Sequence, residues 1–425
     1  MNAAKPEPLC NDTSPPAKPA HNTGLSPLPA QPGMKVRPMI PVLITILVCY
    51  IAIHAFVGRS ILQSLHDTTW ARSIALAVFV LLGSGWIVSS LLIRSGVDGW
   101  LVGVLHQAGS YWLAFFLYFV LTLVILWAVR LASDQTDRLQ TIAGFLTAGH
   151  RLLIAGGLAL LVTLGGAINA RGLVVREYTL PIATIQAIGG PEAVPPEGEA
   201  VRLAFLSDLH IGTSTSLDRL HTIVETVNAL KPDLILIGGD IIDMSPEEDK
   251  GFAAGTILRG FRARHGVFAC PGNHEYILDP KISFSWISRA GIRLLDDAAV
   301  SAGPIRIVGR RDWAGARYGL RRRSLRAILG ETSNTNPQPL IVLDHQPKAL
   351  DEAAQSSARL VLSGHTHHGQ LWPINWITSA IFENSHGMIQ KEGTTCITTS
   401  GVSVWGPQVR TSSRPEIVLI RLSGE

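Results

Sequence analysis

Four runs without a single Asp, Glu, Lys or Arg follow one another before residue 171: Met39–Val57, Ile74–Ile93, Tyr111–Val129 and Leu152–Ala170. Each is close to the ~20 residues that cross ~30 Å of hydrocarbon as a helix. Lipid offers the backbone no hydrogen-bond partner, so a single spanning segment has to be helical. The competing reading is buried helices of a large soluble domain, and four uncharged runs in succession speak against it. The chain has 425 residues and is 47% hydrophobic. The apolar excess lies before about residue 170, which predicts a membrane region at 39–170 and a separate domain at 171–425. Trp86, Trp112 and Trp127 fall in or near the segment ends, as interfacial aromatics do. Gly156-Gly157 and Gly165-Gly166 would let a neighbouring helix approach closely.

Residues 1–38 carry nine prolines and few large apolar groups. Such a segment buries too little surface to offset its chain entropy and is expected to be a disordered tail, not a signal peptide. Lys5, Lys18, Lys35, Arg37, Arg94, Arg171 and Arg176 lie on the tail's side of the spans, seven cations against five (Arg59, Arg72, Arg130, Arg138, Arg151) on the other. The excess places the tail, and with four spans the 171–425 domain, on the cytoplasmic side of the cell membrane. Cys10, Cys49, Cys270 and Cys396 have no CxxC spacing, which disfavours a disulfide framework or zinc ribbon. His54 lies in the first span, while His66, His106 and His150 are expected in loops. A net charge of +4 is too small to imply nucleic-acid binding.

Beyond Arg171, strand-length apolar runs alternate with helix-length mixed segments: strands at Glu177–Ile185, Leu203–Leu206, Asp233–Ile237, Val267–Ala269, Ile305–Val308, Leu340–Leu343, Leu360–Leu362 and Ile417–Ile420, helices at Leu217–Leu230 and Gly251–Arg264, and a linker at Gly189–Glu199. The pattern predicts α/β sheets buried between helices. Five strand ends deliver metal-capable groups: Asp208 and His210, then Asp240 with Asp243, then Asn273, His274 and Glu275, then His345, then His365 and His367. Loops at the carboxyl ends of parallel strands converge on one crevice. Each motif alone is weak: Asp240 could cap a helix, Asn273 could sit in a turn, and His345 could simply close a strand. All of them in order, each after an apolar run, can hold two divalent cations.

Carboxylates bridge cations, an amide oxygen is a neutral ligand, and imidazole with Asp and Asn suits Mn, Fe or Zn. Two such ions ~3.5–4 Å apart generate a hydroxide nucleophile near neutral pH and clamp phosphoryl oxygens. His274 can protonate the leaving oxygen.

The series Asp208-x-His210, Gly239-Asp240-x-x-Asp243, Gly272-Asn273-His274-Glu275 and Gly364-His365-Thr-His367 resembles the calcineurin-like metallophosphoesterases. The likeness covers about Arg171–Leu422. The segment Ser400-Gly401, Trp405-Gly406-Pro407, Arg410 and Arg414-Pro415-Glu416-Ile417 looks like the close of that family's membrane-anchored bacterial branch. The resemblance implies a four-layer αββα sandwich. It places Asp208, His210, Asp240 and His367 on one metal and Asp240, Asn273, His345 and His365 on the other, with Asp240 bridging. It gives His274 the acid role, with Asp243 or Glu275 orienting it. His368 stands where the branch often has glycine; it would narrow the cleft, contact phosphate or face solvent.

The arginines between Arg310 and Arg326 form the main basic cluster, which could face anionic lipid, bind a substrate phosphate, or be a solvated helix face. The reading is a membrane-anchored phosphoesterase that cleaves phosphate-ester or pyrophosphate bonds by metal-activated hydroxide, with a lipid-linked phosphate as the favoured substrate. The alternatives are a nucleotide or nucleic-acid phosphodiesterase, which lacks an aromatic-basic groove signal, and a non-catalytic sensor that keeps the metal site.

Overall fold

The computed structural model describes residues 39–64, 69–97, 99–133, 147–181, 201–212, 214–243, 249–277, 279–330 and 338–423. The Pro-rich tail at 1–38, the linker Gly189–Glu199 and His66 lie outside them.

Four helices come first: α1 (Met39–Ser64), α2 (Thr69–Arg94), α3 (Trp100–Ser133) and α4 (Ala148–Arg171). Each contains a stretch long and apolar enough to cross a bilayer, and the chain is a membrane protein. With 34 residues, α3 is about 50 Å long and outruns its expected span. His106 therefore sits in a helix, buried, with Nδ1 3.2 Å from Ser89 Oγ of α2. His150 lies in the first turn of α4, its N–H capped by Thr147 Oγ1. Trp86 and Trp112 pack against other rings: Phe79 of α2 meets Trp112 edge-on at 5.3 Å.

The glycine expectation is met at other positions. α2 and α3 approach at Gly85 and Gly109, where a Cβ on Gly109 would stand 2.2 Å from the Trp86 nitrogen. Among the described residues, nothing comes within 4 Å of a Cβ added at Gly156, Gly157 or Gly165. Gly166 instead makes room for Val409 and Thr411 near the end of the chain.

The rest of the chain builds two six-stranded sheets. The first runs β1 (Val174–Pro181), β12 (Glu416–Ser423), β2 (Val201–Leu206), β3 (Leu234–Ile237), β4 (Val267–Ala269), β5 (Arg293–Leu294). The second runs β10 (Gly387–Lys391), β11 (Thr394–Thr398), β9 (Leu360–Ser363), β8 (Leu340–Leu343), β7 (Ile305–Gly309), β6 (Ala298–Ala302). β2 through β5 are parallel, as are β11, β9, β8 and β7. The helices are α5 (Leu217–Ala229), α6 (Asp249–Leu258), α7 (Pro280–Arg289), α8 (Leu325–Gly330), α9 (Leu350–Gln355) and α10 (Ile374–Ile381). β1 begins three residues before the expected strand, and α6 stops at Leu258 rather than Arg264.

Strand alternation separates three apolar layers. Leu203, Phe205, Leu234 and Leu236 face Ile307, Ile341, Leu343 and Leu362 between the sheets. Ala204, Leu206, Ile235 and Ile237 turn outward onto Leu220, Ile223, Val227 and Ile287 of α5 and α7. Val308, Val342 and Val361 meet Leu325, Ile328, Leu350 and Ala353 of α8 and α9. Each fully buried Leu or Ile contributes about 1.5–3 kcal/mol, and together the layers form an αββα sandwich.

The last loop ties this sandwich to the membrane helices. Asn169 Nδ2 of α4 donates to the carbonyls of Arg410 and Ser413, both at 2.9 Å. Arg410 N donates to Gly166 O at 2.9 Å, and Tyr118 of α3 hydrogen-bonds Thr411 Oγ1.

Candidate metal centre

The three loops after β2, β3 and β4 and the two after β8 and β9 meet across the inter-sheet layer, because the strands are neighbours and parallel within each sheet. Among the described residues donor atoms come together in three groups. Two of them, Asp208, His210 and His367, then Asp240, His345 and His365, carry the strand-end ligands. The third, His210, Asp243 and His274, shares His210 with the first. In the first, His210 Nε2 lies 3.1 Å from His367 Nε2 and 3.9 Å from Asp208 Oδ1. In the second, His345 Nε2 lies 3.1 Å from Asp240 Oδ2, 3.2 Å from Asn273 Oδ1 and 3.2 Å from His365 Nδ1. Asp240 Oδ2 is also 4.0 Å from His210 Nε2, so one carboxylate reaches both groups.

The local backbone is shaped for this. Asp208, His210, Asp240, His365 and His367 all have positive φ, between 46° and 71°. Non-glycine residues rarely occupy that region, and such strain collects at functional sites. Gly364 is a matter of space: a Cβ there would lie 2.1 Å from Ser207 Oγ and 2.5 Å from Asp208 Oδ2.

Hydrogen bonds aim the rings. His345 Nδ1 donates to Gly238 O at 2.7 Å, which leaves Nε2 free to face the cluster. His210 Nδ1 lies 2.9 Å from Asp243 Oδ1, which fixes its Nε2 likewise. Burial and then the His345 charge hold His365 down to about 3. Burial, His210 and Arg410 hold His367 well below the imidazole range. Burial works against the Asp240 carboxylate, but His345 and His274 outweigh it and hold the group well below its ordinary value. His365 and His367 as neutral imidazoles and Asp240 as an ionised carboxylate converge with the buried His345 and His210. Burial opposes a charge on those two rings, but Asp240 holds His345 and Asp243 holds His210 above the imidazole range. A divalent cation would take the place of the protons on those two rings, and the set fits it.

Asp243 and Glu275 have separate tasks. Asp243 Oδ1 stands 2.7 Å from His274 Nδ1, at ion-pair distance though off the line of a well-directed hydrogen bond. Burial would raise Asp243, yet His210 and His274 hold it at about 2. Burial opposes a charge on His274, but Asp240 and Asp243 push it up to about 9; cations beside it would oppose that rise. Glu275 does not orient His274. Its Oε1 accepts from Ile241 N (2.7 Å) and Ile242 N (3.2 Å), and its Oε2 from Gly272 N (2.6 Å) and Asp240 N (3.0 Å). Burial and the Asp240 charge push it up to about 7 despite these donors. It is a buried clamp on the Asp240 loop. His368 belongs to none of these donor groups: its half-buried ring faces His386 at 4.9 Å.

Two residues of the closing segment gain a place at the centre only in three dimensions. Arg410 Nη2 lies 3.1 Å from His367 Nδ1. Trp405 stands edge-on to His274 at 6.4 Å and to Trp86 of α2 at 6.1 Å. The resemblance already marks both as part of the closing segment, without a role; ring contact and the buried guanidinium place them at the centre. The arginine cluster dissolves as a patch. Arg310 is buried against Glu352, Arg311 grips Asp296, and Arg322 pairs with Asp344, leaving Arg317, Arg321 and Arg326 exposed.

Residues 201–369 match the calcineurin-like phosphoesterase family. Over 233 residues the chain is 30% identical to an uncharacterized metallophosphoesterase of Aquifex aeolicus, covering 54% of this chain and 88% of that one. The chain belongs to the calcineurin-like metallophosphoesterase family. It is also similar to a Helicobacter pylori metallophosphoesterase, 33% identical over 228 residues, 52% of this chain and 60% of the relative's length. A Danio rerio relative, named transmembrane protein with metallophosphoesterase domain, is 33% identical over 248 residues, 54% of this chain and 55% of its own.

Proposed function

We propose that the protein is an integral-membrane phosphoesterase with a two-cation centre that hydrolyses phosphate-ester or pyrophosphate bonds. The observation that carries this reading is Asp240, whose single carboxylate reaches both donor groups. Asp208, His210 and His367 would hold one divalent ion, and Asn273, His345 and His365 the other, with Asp240 between them. Mn, Fe or Zn bound there would supply a nucleophile near neutral pH and neutralise phosphoryl oxygens.

The chain's own groups do the rest. Asp243 holds the His274 ring in place, and His274 delivers a proton to the leaving oxygen. Glu275 keeps the Asp240 backbone in its unusual conformation through four N–H bonds. Trp405 forms an apolar wall beside His274. Tethering to the bilayer favours a substrate confined to that surface, a phosphate carried on a lipid. The cation excess on the tail's side supports a cytoplasmic catalytic domain, and a C-terminal reporter with periplasmic signal would refute it.

The test is purified protein with Mn²⁺ and an aryl phosphodiester. Turnover above the metal-free control, lost in Asp240→Asn, is the expected result. No turnover, with Asp240→Asn indistinguishable from the parent, would remove the enzymatic reading and leave the sensor.

A further inference from the structure

The helix α10 is amphipathic the wrong way round for a surface bathed in water. Trp376, Ile377 and Ile381 are exposed at 63%, 59% and 65%, and Trp372 just before the helix at 41%. With Ala380, also exposed, they make two i, i+4 rows on one face. Two of its polar groups point inward, while Ser379 is exposed at the flank of the stripe. Thr378 Oγ1 bonds Ser385 Oγ at 2.9 Å, and Asn375 Oδ1 is buried. A water-facing helix would turn these faces over, and contiguous apolar patches of this kind mark an interaction surface.

What covers the stripe follows from where the helix is seated. Ile374 and Leu371 pack in one apolar cluster with Tyr111, Ala114 and Leu117 of α3 and Ala167 of α4. Ala167 lies four residues before α4 ends at Arg171, where the chain leaves for the catalytic domain. Tyr111 opens the uncharged run of α3, with eleven helical residues of α3 before it on that same side. The exposed stripe of α10 thus continues the lipid-facing surface of the spans. Tryptophan favours the headgroup level, and Trp372 meets Trp376 edge-on at 5.4 Å. At the far end of α10, Phe382 stands against His365 of the metal centre at 5.8 Å, with Lys348 Nζ over the same Phe382 ring at 5.7 Å.

We infer that α10 is an interfacial helix, its Trp376–Ile381 stripe sunk into the headgroup–acyl boundary, which sets the mouth of the metal centre at the lipid surface. A helix of this kind buries its apolar face about 5–10 Å into that boundary. The inference rests on α2, α3 and α4 crossing the bilayer and not on any turnover.

The experiment uses the full-length protein in nanodiscs of phosphatidylcholine and phosphatidylglycerol. An environment-sensitive fluorophore is attached to a cysteine introduced by Ala380→Cys on α10, by Val88→Cys in the second span, or by Arg289→Cys on the exposed end of α7. Labelled parent protein supplies the background from the native cysteines. The Ala380→Cys label is expected to emit to the blue of the Arg289→Cys label. It should lose emission to lipids carrying a nitroxide near the headgroup more than to lipids carrying one at the chain end. An Ala380→Cys label that behaves like Arg289→Cys while the Val88→Cys label is quenched would overturn the proposal and leave the spans intact. A blue-shifted label untouched by either nitroxide lipid would also overturn it, since a protein surface would then cover the helix. A Val88→Cys label that no nitroxide lipid reaches would remove the membrane reading beneath it, and the proposal with it.

Discussion

Arg410 Nη2 stands 3.1 Å from Nδ1 of His367, and both side chains are buried. The same Nη2 donates to Ser400 O at 2.7 Å and to Ser403 O, while Nη1 reaches Ser413 Oγ at 2.8 Å. One guanidinium therefore fixes a metal-capable ring and the loop that leads back to the membrane helices. Lysine has the charge but not the planar fork. Arg410→Lys is expected to weaken metal retention by about 10–100-fold, as outer-shell partners do. Elemental analysis after dialysis against a chelator reads this directly.

Asp243 serves two rings, His210 at 2.9 Å and His274 at 2.7 Å. His274→Gln should slow an ester with a poor leaving group by about 10²–10⁴-fold, the usual worth of a general acid. A nitrophenyl ester, whose leaving oxygen needs no proton, should be slowed far less. Asp243→Asn should show the same dependence on leaving group plus a loss of bound metal, because His210 also depends on it. Equal slowing of good and poor leaving groups by His274→Gln would rule out the acid role.

Gly364→Ala tests how tightly the loop after β9 is packed. The added methyl would lie 2.1 Å from Ser207 Oγ and 2.5 Å from Asp208 Oδ2. Overpacking of this kind costs about 1–3 kcal/mol, and here it displaces a metal-capable carboxylate. A lower thermal midpoint and lost turnover are expected, whereas Gly330→Ala, whose methyl meets nothing within 4 Å among the described residues, should change neither.

Glu416 links stability to pH. Its carboxylate accepts from His386 Nε2 and Ser400 N at 3.0 Å each, from Thr399 Oγ1 at 3.1 Å and from Arg176 Nε at 3.0 Å. Burial alone would raise it, but these partners outweigh burial and hold it at about 2, below the ordinary 4.5. A depressed carboxylate contributes stability in full above its unfolded value and loses it as pH falls through the folded value. Glu416→Gln should therefore lower the thermal midpoint by a constant amount above about pH 5. The gap to the parent should close between 4.5 and about 2. A gap that widens on acidification would contradict this assignment.

How much of this was legible beforehand depended on the kind of property. The four spans are a matter of length and composition along one segment, and Met39–Arg171 shows them without any fold. The metal-capable residues were legible because each follows an apolar strand, and parallel strands bring their ends to one edge. His106 was misread as a loop residue because helix ends in lipid are not bounded by hydropathy: α3 begins eleven residues before its apolar run. The arginine cluster was misread because neighbours in sequence suggested a patch, while Arg310, Arg311 and Arg322 each found a separate carboxylate.

The sequence by itself determined what the chain is made of: a membrane part, an α/β part, and an ordered set of groups able to bind cations. Only the tertiary structure decided which of them share a centre, that Asp240 reaches both groups, that Glu275 clamps backbone while Asp243 holds His274, and that Arg410 stands behind His367. These are distances between residues 30 to 160 positions apart, and no local pattern encodes them. The outward turn of α10 is of the same kind. Its eight residues show an apolar and a polar side in sequence, but which side faces the protein depends on Ser385 and α3 lying where they do.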